Sequence, residues 1–301
     1  MRLSISIVSW NTTELLRRCL RAIYDNPPAK MGTVPSGAGG LSPFSDLEII
    51  VVDNASTDFD EASLQAEFPE VKIIANTENA GYARGNNQAI EASSGQYILL
   101  LNPDTEVRPG ALQTLIDFMD THPDAAAAGA KLVRPDGTID QCCRGFPSPL
   151  ALAGEYLGLA KIFPRCRVLG AYRMTWFRYD RVAEVDQVMG SCMVISRAVL
   201  ENIGAFDERF RIFFNEVDWC FRAKKAGFKV YFVPNAQVLH LGGQSTKQIR
   251  SEMRLESQRS LIGFYRKHYR GRFPSPMYLL AMAGIWLNMR LIHRQGKELR
   301  D

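Results

Sequence analysis

The stretch from Ile49 to Asp58 reads Ile-Ile-Val-Val-Asp-Asn-Ala-Ser-Thr-Asp. A β-branched apolar run stops abruptly at a carboxylate, an amide and small hydroxyl residues. A run with no polar alternation is buried on both faces, the pattern of a parallel strand inside an α/β sheet. Such a strand delivers Asp53 to the carboxyl edge of its sheet, where open α/β folds bind ligands. Tyr97 to Leu101 is a second strand of the same kind and delivers Asn102-Pro103-Asp104. Two acidic strand ends in one half of a chain point to a nucleotide and a divalent metal.

The rest of the first half alternates strand and helix. Leu3–Ser9 reads as a strand. Thr12–Tyr24 reads as a helix, with Leu15, Leu16, Cys19, Leu20 and Ile23 on one apolar stripe. Pro27 to Ser45 is rich in Pro, Gly and Ser and reads as a mobile insertion. Strands are expected at 47–53, 71–75, 97–101 and 126–133, and helices at 58–68, 82–93 and 109–121, the last with Pro109 in its first turn. Alternation of this order predicts a mostly parallel sheet with helices on both faces. The second half is less regular. Pro147–Arg181 reads as a loop with a helix near Leu150–Ile162, and Val185–Ser196 as one strand. Arg197–Ile203 and Glu216–Ala226 read as helices, the second stopped by Gly227. Lys229–Val233 and Ala236–Leu239 read as two short strands, and residues 249–269 and 276–293 as helices.

Charge divides the chain in two. Ser245 to Asp301 holds 12 Lys and Arg against 4 Asp and Glu, while the preceding 244 residues hold 24 against 28. A basic tail on a near-neutral body fits an anionic surface. Six cysteines without a Cys-x-x-Cys pair speak against zinc and for reduced core thiols, hence for the cytosol. The amino terminus alternates like a strand and does not read as a secretory signal. Met277 to Met289 is apolar over about a dozen residues, short of the roughly 20 needed to span a bilayer. An interfacial helix flanked by Arg290 and Arg294 fits this stretch.

The first strand ends Ser9-Trp10-Asn11-Thr12-Thr13 without a glycine, which speaks against a dinucleotide-binding turn. A Walker loop is absent as well. Six motifs occur in order: Ser-Trp-Asn; Val-Val-Asp-Asn-Ala-Ser-Thr-Asp; Asn79-x-Gly81-Tyr-Ala-x-Gly85-Asn86-Asn87; Leu-Leu-Asn-Pro-Asp-Thr; Gly204-x-Phe206-Asp207-Glu208-x-Phe210; and Asn215-Glu216-Val-Asp218-Trp-Cys-x-Arg222. Together they resemble the family 2 inverting glycosyltransferases of the GT-A fold, in particular bacterial rhamnosyltransferases. The resemblance covers roughly residues 3 to 245. It implies an α/β nucleotide-diphospho-sugar transferase domain over 1–245, with a nucleotide-sugar half (1–135) and an acceptor and catalytic half (136–245). A basic helical extension, 246–301, follows.

The resemblance also implies roles for particular residues. Ser9, Asn11, Asp53, Asn79, Gly81, Arg84, Asn87 and Asn102 fall on the donor side. Asp53 would accept a hydrogen bond from a pyrimidine imide N–H, since an ionised carboxylate only accepts. Gly81 and Gly85 would let backbone approach the nucleotide, and Arg84 would add positive charge. Asn102-Pro103-Asp104 stands where the family has Asp-x-Asp, so Asp104 is the expected direct ligand of Mn²⁺ or Mg²⁺, with Asn102 assisting. His240 is the expected second ligand. Gly190, Ser191, Trp219 and Arg222 fall on the acceptor side, and Arg209 and Arg211 could meet a lipid-linked diphosphate. Glu216 and Asp218 compete for the general base. They point about 200° apart on a helix, and Asp218 stands at ion-pair spacing from Arg222. Glu216 is therefore the expected base, and Asp218 with Arg222 its scaffold.

The expected reaction is a single in-line displacement from a pyrimidine nucleoside diphosphate sugar, with dTDP-L-rhamnose the leading donor. The expected acceptor is a saccharide on a polyprenyl diphosphate or a growing polysaccharide. UDP-galactofuranose, UDP-glucose and UDP-N-acetylglucosamine enzymes share the motifs. A non-catalytic sugar-nucleotide binder and a nucleotidyltransferase are the rival readings. Neither nucleic-acid binding nor a stacking platform is expected of the basic tail. Contact with the anionic inner face of a bacterial plasma membrane and a homodimer are the further partners expected.

Overall fold

The computed structural model describes residues 1–28, 46–242 and 250–298. The Pro27 to Ser45 insertion falls, but for its first two residues, outside them. So do the residues immediately after Gly242.

The first half is built as the alternation demands: β1 (Leu3–Ser9), α1 (Thr13–Asp25), β2 (Leu47–Asp53), α2 (Glu61–Glu67), β3 (Val71–Ala75), α3 (Tyr82–Glu91) and β4 (Tyr97–Leu101). Next come a short β5 (Thr105–Val107), α4 (Ala111–Thr121) and β6 (Ala125–Val133). Two small strands, β7 (Ile139–Asp140) and β8 (Cys143–Arg144), lead to α5 (Pro149–Tyr156) and α6 (Leu159–Ile162). The remainder is β9 (Ala183–Val185), β10 (Gln187–Val188), β11 (Cys192–Ser196), α7 (Arg197–Ile203), α8 (Asn215–Lys225), β12 (Lys229–His240), α9 (Arg250–Phe264) and α10 (Ser275–Glu298).

The main sheet runs β3-β2-β1-β4-β11-β6-β12-β5. Strands β3, β2, β1 and β4 are mutually parallel, β11 runs against both β4 and β6, and β12 is parallel to β6. Every residue of β1 and β2 is buried, as two-faced coverage by helices requires. The chain leaves β1 toward β2 and β3, then returns to place β4 on the other flank of β1. The strand order therefore reverses between β1 and β4, and ligand crevices form at such a reversal.

Helix α1 buries Leu16, Cys19, Leu20 and Ile23 of its expected stripe. Its first-turn amide, Thr13 N–H, donates to Asp58 Oδ2 at 3.1 Å. Asp58 thus serves α1, and Asp60 caps α2 through Ser63 N–H.

Several expectations are corrected. Pro109 lies outside α4, whose N-cap is Gly110 at φ 77. The single strand expected over Val185–Ser196 is three, because Met189, Gly190 and Ser191 leave the ladder. The two strands expected over 229–239 are one, with a register shift between Val233 and Gln237 where Pro234 has no N–H to give. The first C-terminal helix ends in a π-turn, Tyr265–Tyr269.

A second core joins this C-terminal segment to α8. Phe264 and Tyr265 are fully buried and share a cluster with Phe210, Phe214, Val217 and Phe221. The Phe264 ring stands 5.4 Å from Phe221 and 5.3 Å from Tyr269, both edge-on, the geometry aromatic quadrupoles favour. Buried Asp218 fastens the same junction. It accepts from Arg222 Nε at 2.9 Å, Lys267 Nζ at 2.6 Å and His268 Nε2 at 2.6 Å. Phe264→Ala should cost about 3–5 kcal/mol of unfolding free energy. Urea titration reads it, and a loss below about 1 kcal/mol would show that the extension does not share the body's core.

Candidate functional site

Three strand ends and one helix mouth meet at the carboxyl edge of the sheet. β1 ends in Ser9 and β4 in Asn102-Pro103-Asp104. Antiparallel β11 begins there, with Cys192 opposite Leu101. The ladder is extended by Asn102 N–H donating to the Ser191 carbonyl at 3.0 Å. This brings Gly190 and Ser191 to the same edge. β5 turns back from Asp104 and pairs with the end of β12, His240 opposite Thr105. Leu241 N–H donates to the Asp104 carbonyl at 2.9 Å. Residues 136 positions apart in sequence thereby become neighbours.

The result is a cleft of about 450 Å³, lined among others by Ser9, Asn79, Gly81, Asn102, Asp104, Gly190, Ser191, Glu216 and His240. His240 Nε2 lies 3.6 Å from Asp104 Oδ1, and His240 Nδ1 lies 2.8 Å from Asp140 Oδ2. Burial alone would lower the His240 pKa. Hydrogen bonds and charge from Asp104 and Asp140 outweigh it and raise the pKa to about 9. Asp140 also pairs with Arg134.

The donor set suits a hard divalent cation. It combines a carboxylate, an imidazole whose far nitrogen is held by a second carboxylate, and an amide oxygen. The amide oxygen is the telling atom: Asn102 Oδ1 is buried with no hydrogen-bond partner, while Asn102 Nδ2 donates to Ser191 Oγ at 3.1 Å. Among the described residues, no group of three or more His, Cys, Asp or Glu forms a recognisable cage. A cation here would thus share its remaining positions with ligand oxygens or water, as Mg²⁺ habitually does.

Glu216 stands in the first turn of α8, two residues after the N-cap Phe214 at φ 70. A bulky residue in the left-handed region is strained, and this one sets how α8 enters the cleft. Burial lifts the Glu216 carboxyl from its ordinary 4.5 to about 7, with only a backbone hydrogen bond opposing. No basic side chain among the described residues pairs with it. Two residues on, Asp218 is the reverse case. Burial would raise it, but the hydrogen bonds from His268, Lys267 and Arg222 prevail and hold it below the usual carboxylate range.

Asp53, Asn11, Arg84, Asn87, Trp219 and Arg222, also expected in the site, are not among the residues lining this cleft. Both Asp53 oxygens accept from Ser56, from Oγ at 2.6 Å and from N–H at 2.9 Å. Asp53 sits one strand over from Ser9, its register partner. Asn11 Oδ1 accepts from Thr57 N–H at 2.9 Å and so ties the β1 and β2 loops together. Arg84 pairs with Glu208 at 3.2 Å. Asn87 donates to the Phe206 carbonyl at 2.9 Å and accepts from Phe206 N–H at 3.0 Å. Trp219 is fully buried and donates to the Gly204 carbonyl at 3.1 Å. Arg222 donates to the carbonyls of Ile203, Gly204 and Ala205 besides its bond to Asp218. These four side chains, with Asp218, hold the 203–208 loop between α3 and α8.

Gly81 and Gly85 are packed closely against protein groups. A Cβ on Gly81 would stand 2.3 Å from Arg211 Cγ, and one on Gly85 would stand 2.8 Å from Val8 Cγ1. Arg209 is bound to Asp207 on the surface, away from the cleft. Arg211 does line the cleft. Tyr82, also in the cleft, donates from its hydroxyl to the Gly190 carbonyl at 2.9 Å. Tyr82 lies within the Asn79–Asn87 motif, but its place in the cleft is not legible from sequence. Asp140, on a two-residue strand, carried no signal in the sequence.

Residues 4–141 match the sequence profile described as Glycosyl transferase family 2. The chain is 27% identical to the N-acetylglucosaminyl-diphospho-decaprenol L-rhamnosyltransferase of Mycobacterium tuberculosis H37Rv, over 83% of this chain and 84% of that protein. It is 24% identical to the dTDP-rhamnosyl transferase RfbF of Shigella flexneri, over 66% and 62%. Among solved structures it resembles the mannosyltransferase PcManGT of Pyrobaculum calidifontis in complex with GDP-Man and Mn²⁺. The TM-score is 0.59 at 15% identity, with 99% of this chain and 80% of that one covered. S. aureus TarS 1–349 with UDP gives a TM-score of 0.53 at 15% identity, covering 79% of this chain and 60% of that one. This chain spans only 36% of the longer TarS structure. At such identities the structural likeness carries the fold alone, and that fold is GT-A.

The raised carboxyl of Glu216 has a consequence for stability. Below pH 4.5 the folded and unfolded states are both protonated at this position; between 4.5 and about 7 only the folded state keeps the proton. Stability contributed by the protonated form is thus lost as pH rises through 7. Glu216→Gln should be more stable than the parent at pH 8, on the order of 1–3 kcal/mol, and nearly matched at pH 5. Paired urea titrations at the two pH values read this, and a difference that does not change with pH would contradict it.

Proposed function

Since residues 4–141 carry a Glycosyl transferase family 2 domain and the chain resembles rhamnosyltransferases, we propose that it transfers a sugar, with inversion, from a nucleoside diphosphate donor to a lipid-linked saccharide. One observation carries the reading. An acid with a pKa near neutrality, Glu216, faces the same cleft as the Asp104–His240 pair. A general base works best when its pKa lies near the working pH. Glu216 would take the acceptor hydroxyl proton as that oxygen attacks the anomeric carbon.

Asp104 and His240, aided by Asn102 Oδ1, would hold a divalent ion that draws charge from the departing diphosphate. Asp140 would fix the His240 ring through Nδ1. Ser9, Asn79 and Gly81 would flank the donor. Asp53 keeps lone pairs beyond the two given to Ser56, enough to accept a base N–H as well. Gly190 and Ser191, on the β11 side, would face the acceptor. The rhamnosyltransferase relatives support dTDP-L-rhamnose as donor, and the decaprenol-linked acceptor named for one of them supports a polyprenyl diphosphate carrier. Orientation of two poorly reactive partners would contribute much of the rate.

Thermal shift against dTDP-, UDP- and GDP-sugars with Mn²⁺ names the donor through mass action. Transfer should vanish with EDTA. Glu216→Gln should lower kcat by about 10²–10⁴ while donor affinity stays within a few-fold. A variant as active as its parent would remove Glu216 from the chemistry.

The same reading places the protein against an anionic membrane. No helix among the described residues is long and apolar enough to cross one. Helix α10 instead leaves Leu280, Leu287 and Leu291 exposed at helical spacing. The Arg290 guanidinium lies 3.6 Å over the half-exposed Trp286 ring, an amphipathic pairing suited to an interface. Flotation should show binding to phosphatidylserine vesicles that weakens with salt and with Leu280→Glu plus Leu287→Glu. Equal binding by parent and variant would argue against α10 as the contact.

A further inference from the structure

The loop Asp207–Phe213 has two faces. Arg211, Ile212 and Phe213 line the cleft. Arg209 and Phe210 line a separate cavity of about 330 Å³, closed by Arg259, Ser260, Arg266 and Lys267 of α9 and the π-turn. Four of its lining side chains are basic. Asp207 binds Arg209 and Lys267, at 2.6 and 2.7 Å, and Glu256 binds Arg259 at 3.4 Å. Lys267 also reaches Asp218, whose charge Arg222 shares. Arg266 is exposed and makes no ion pair among the described residues. Around the cavity, Arg209, Arg259, Arg266 and Lys267 against Asp207 and Glu256 leave a surplus of two positive charges.

A second observation is independent of charge. Ser260 is only 5% exposed, lines this cavity, and its hydroxyl has no hydrogen-bond partner. A helical serine ordinarily bonds back to a carbonyl of the preceding turn. A buried hydroxyl left unpaired costs about 1–3 kcal/mol, so a ligand oxygen is its natural complement. A hydroxyl donor beside guanidinium and ammonium groups suits phosphate, which arginine binds through paired N–H donors. Phe210 supplies an apolar wall, with Lys267 Nζ 5.6 Å from its ring.

Position ties the cavity to the cleft. Met253 lines the cleft, while Ser260, on the same face of α9 seven residues on, lines the cavity. That separation is about 10 Å along the helix axis, a span that one sugar ring and its diphosphate linkage bridge. We propose that this cavity binds the diphosphate of the lipid-linked acceptor while the acceptor sugar reaches Glu216. The assignment rests on the glycosyl-transfer reading and adds to it a second phosphate site, separate from the donor's.

The first test uses inorganic pyrophosphate in EDTA at low salt, titrated calorimetrically into the full chain. Arg266→Glu should weaken binding at least tenfold and Ser260→Ala several-fold, with Asp104→Asn unchanged and melting temperatures preserved. Equal binding by parent and Arg266→Glu overturns the proposal. The second test uses a soluble short-chain polyprenyl diphosphate saccharide as acceptor. Arg266→Glu should raise its KM at least tenfold with little change in kcat. If KM is unchanged and only phosphatidylserine-vesicle binding falls, the cavity is a headgroup site and the acceptor assignment fails. Donor turnover by the parent protein tests the underlying reading separately, because the pyrophosphate measurement does not depend on it.

Discussion

The register between β5 and β12 is the constraint on which the cleft depends. His240 pairs with Thr105 and Leu239 with Glu106, which sets the imidazole beside Asp104. Side chains alternate faces along a strand, so a slip of one residue would turn His240 away and bring Leu239 in. Nothing local to either segment enforces the pairing. It is held by what lies behind it: Val107 and Val238, register partners, are both buried in the core, and β6 supports β12 from the other side. A core of ordinary apolar residues therefore sets the geometry of an acid and a histidine far apart in sequence.

Environment then sorts acids that sequence cannot. Glu216 and Asp218 lie two positions apart on one helix. Asp218 is given three basic partners and becomes a clamp between α8 and the C-terminal segment. Glu216 is given burial without a partner, and its proton is held to near neutrality. Two carboxyls driven apart in pKa by their surroundings are the usual mark of divided roles. Here one carboxyl is a structural clamp and the other faces the cleft.

What the sequence made legible follows from locality. Apolar runs ending in polar residues located β1, β2 and β4 closely, because burial on both faces leaves no other pattern. Asp104, His240, Asn102 and Glu216 were within reach because they terminate such elements or open a helix. Asp53, Asn11, Arg84 and Asn87, expected on the donor side, also bond to protein groups. A motif says that a residue type is required, not whether ligand or loop requires it. Asp140 was invisible because its strand is two residues long and its partner is 100 positions away. Tyr82 was hidden because its place depends on the approach of two loops at Gly81, where Arg211 packs, a contact only coordinates reveal.

The basic tail was legible in the sequence as charge and as helix. Its first helix and π-turn are built into the body: Met253 lines the cleft, Phe264 and Tyr265 complete a core with α8, and Lys267 and His268 neutralise Asp218. The position of Glu216 is thus coupled to whatever α9 contacts. Removing α9 and its π-turn would uncover Phe214, Val217 and Phe221 and leave buried Asp218 with Arg222 alone. An acid stripped of most of its buried partners is strongly destabilising, and α8 carries both that acid and Glu216. The carboxyl that faces the cleft is carried by a helix packed on the C-terminal segment, so its orientation is a property of that segment.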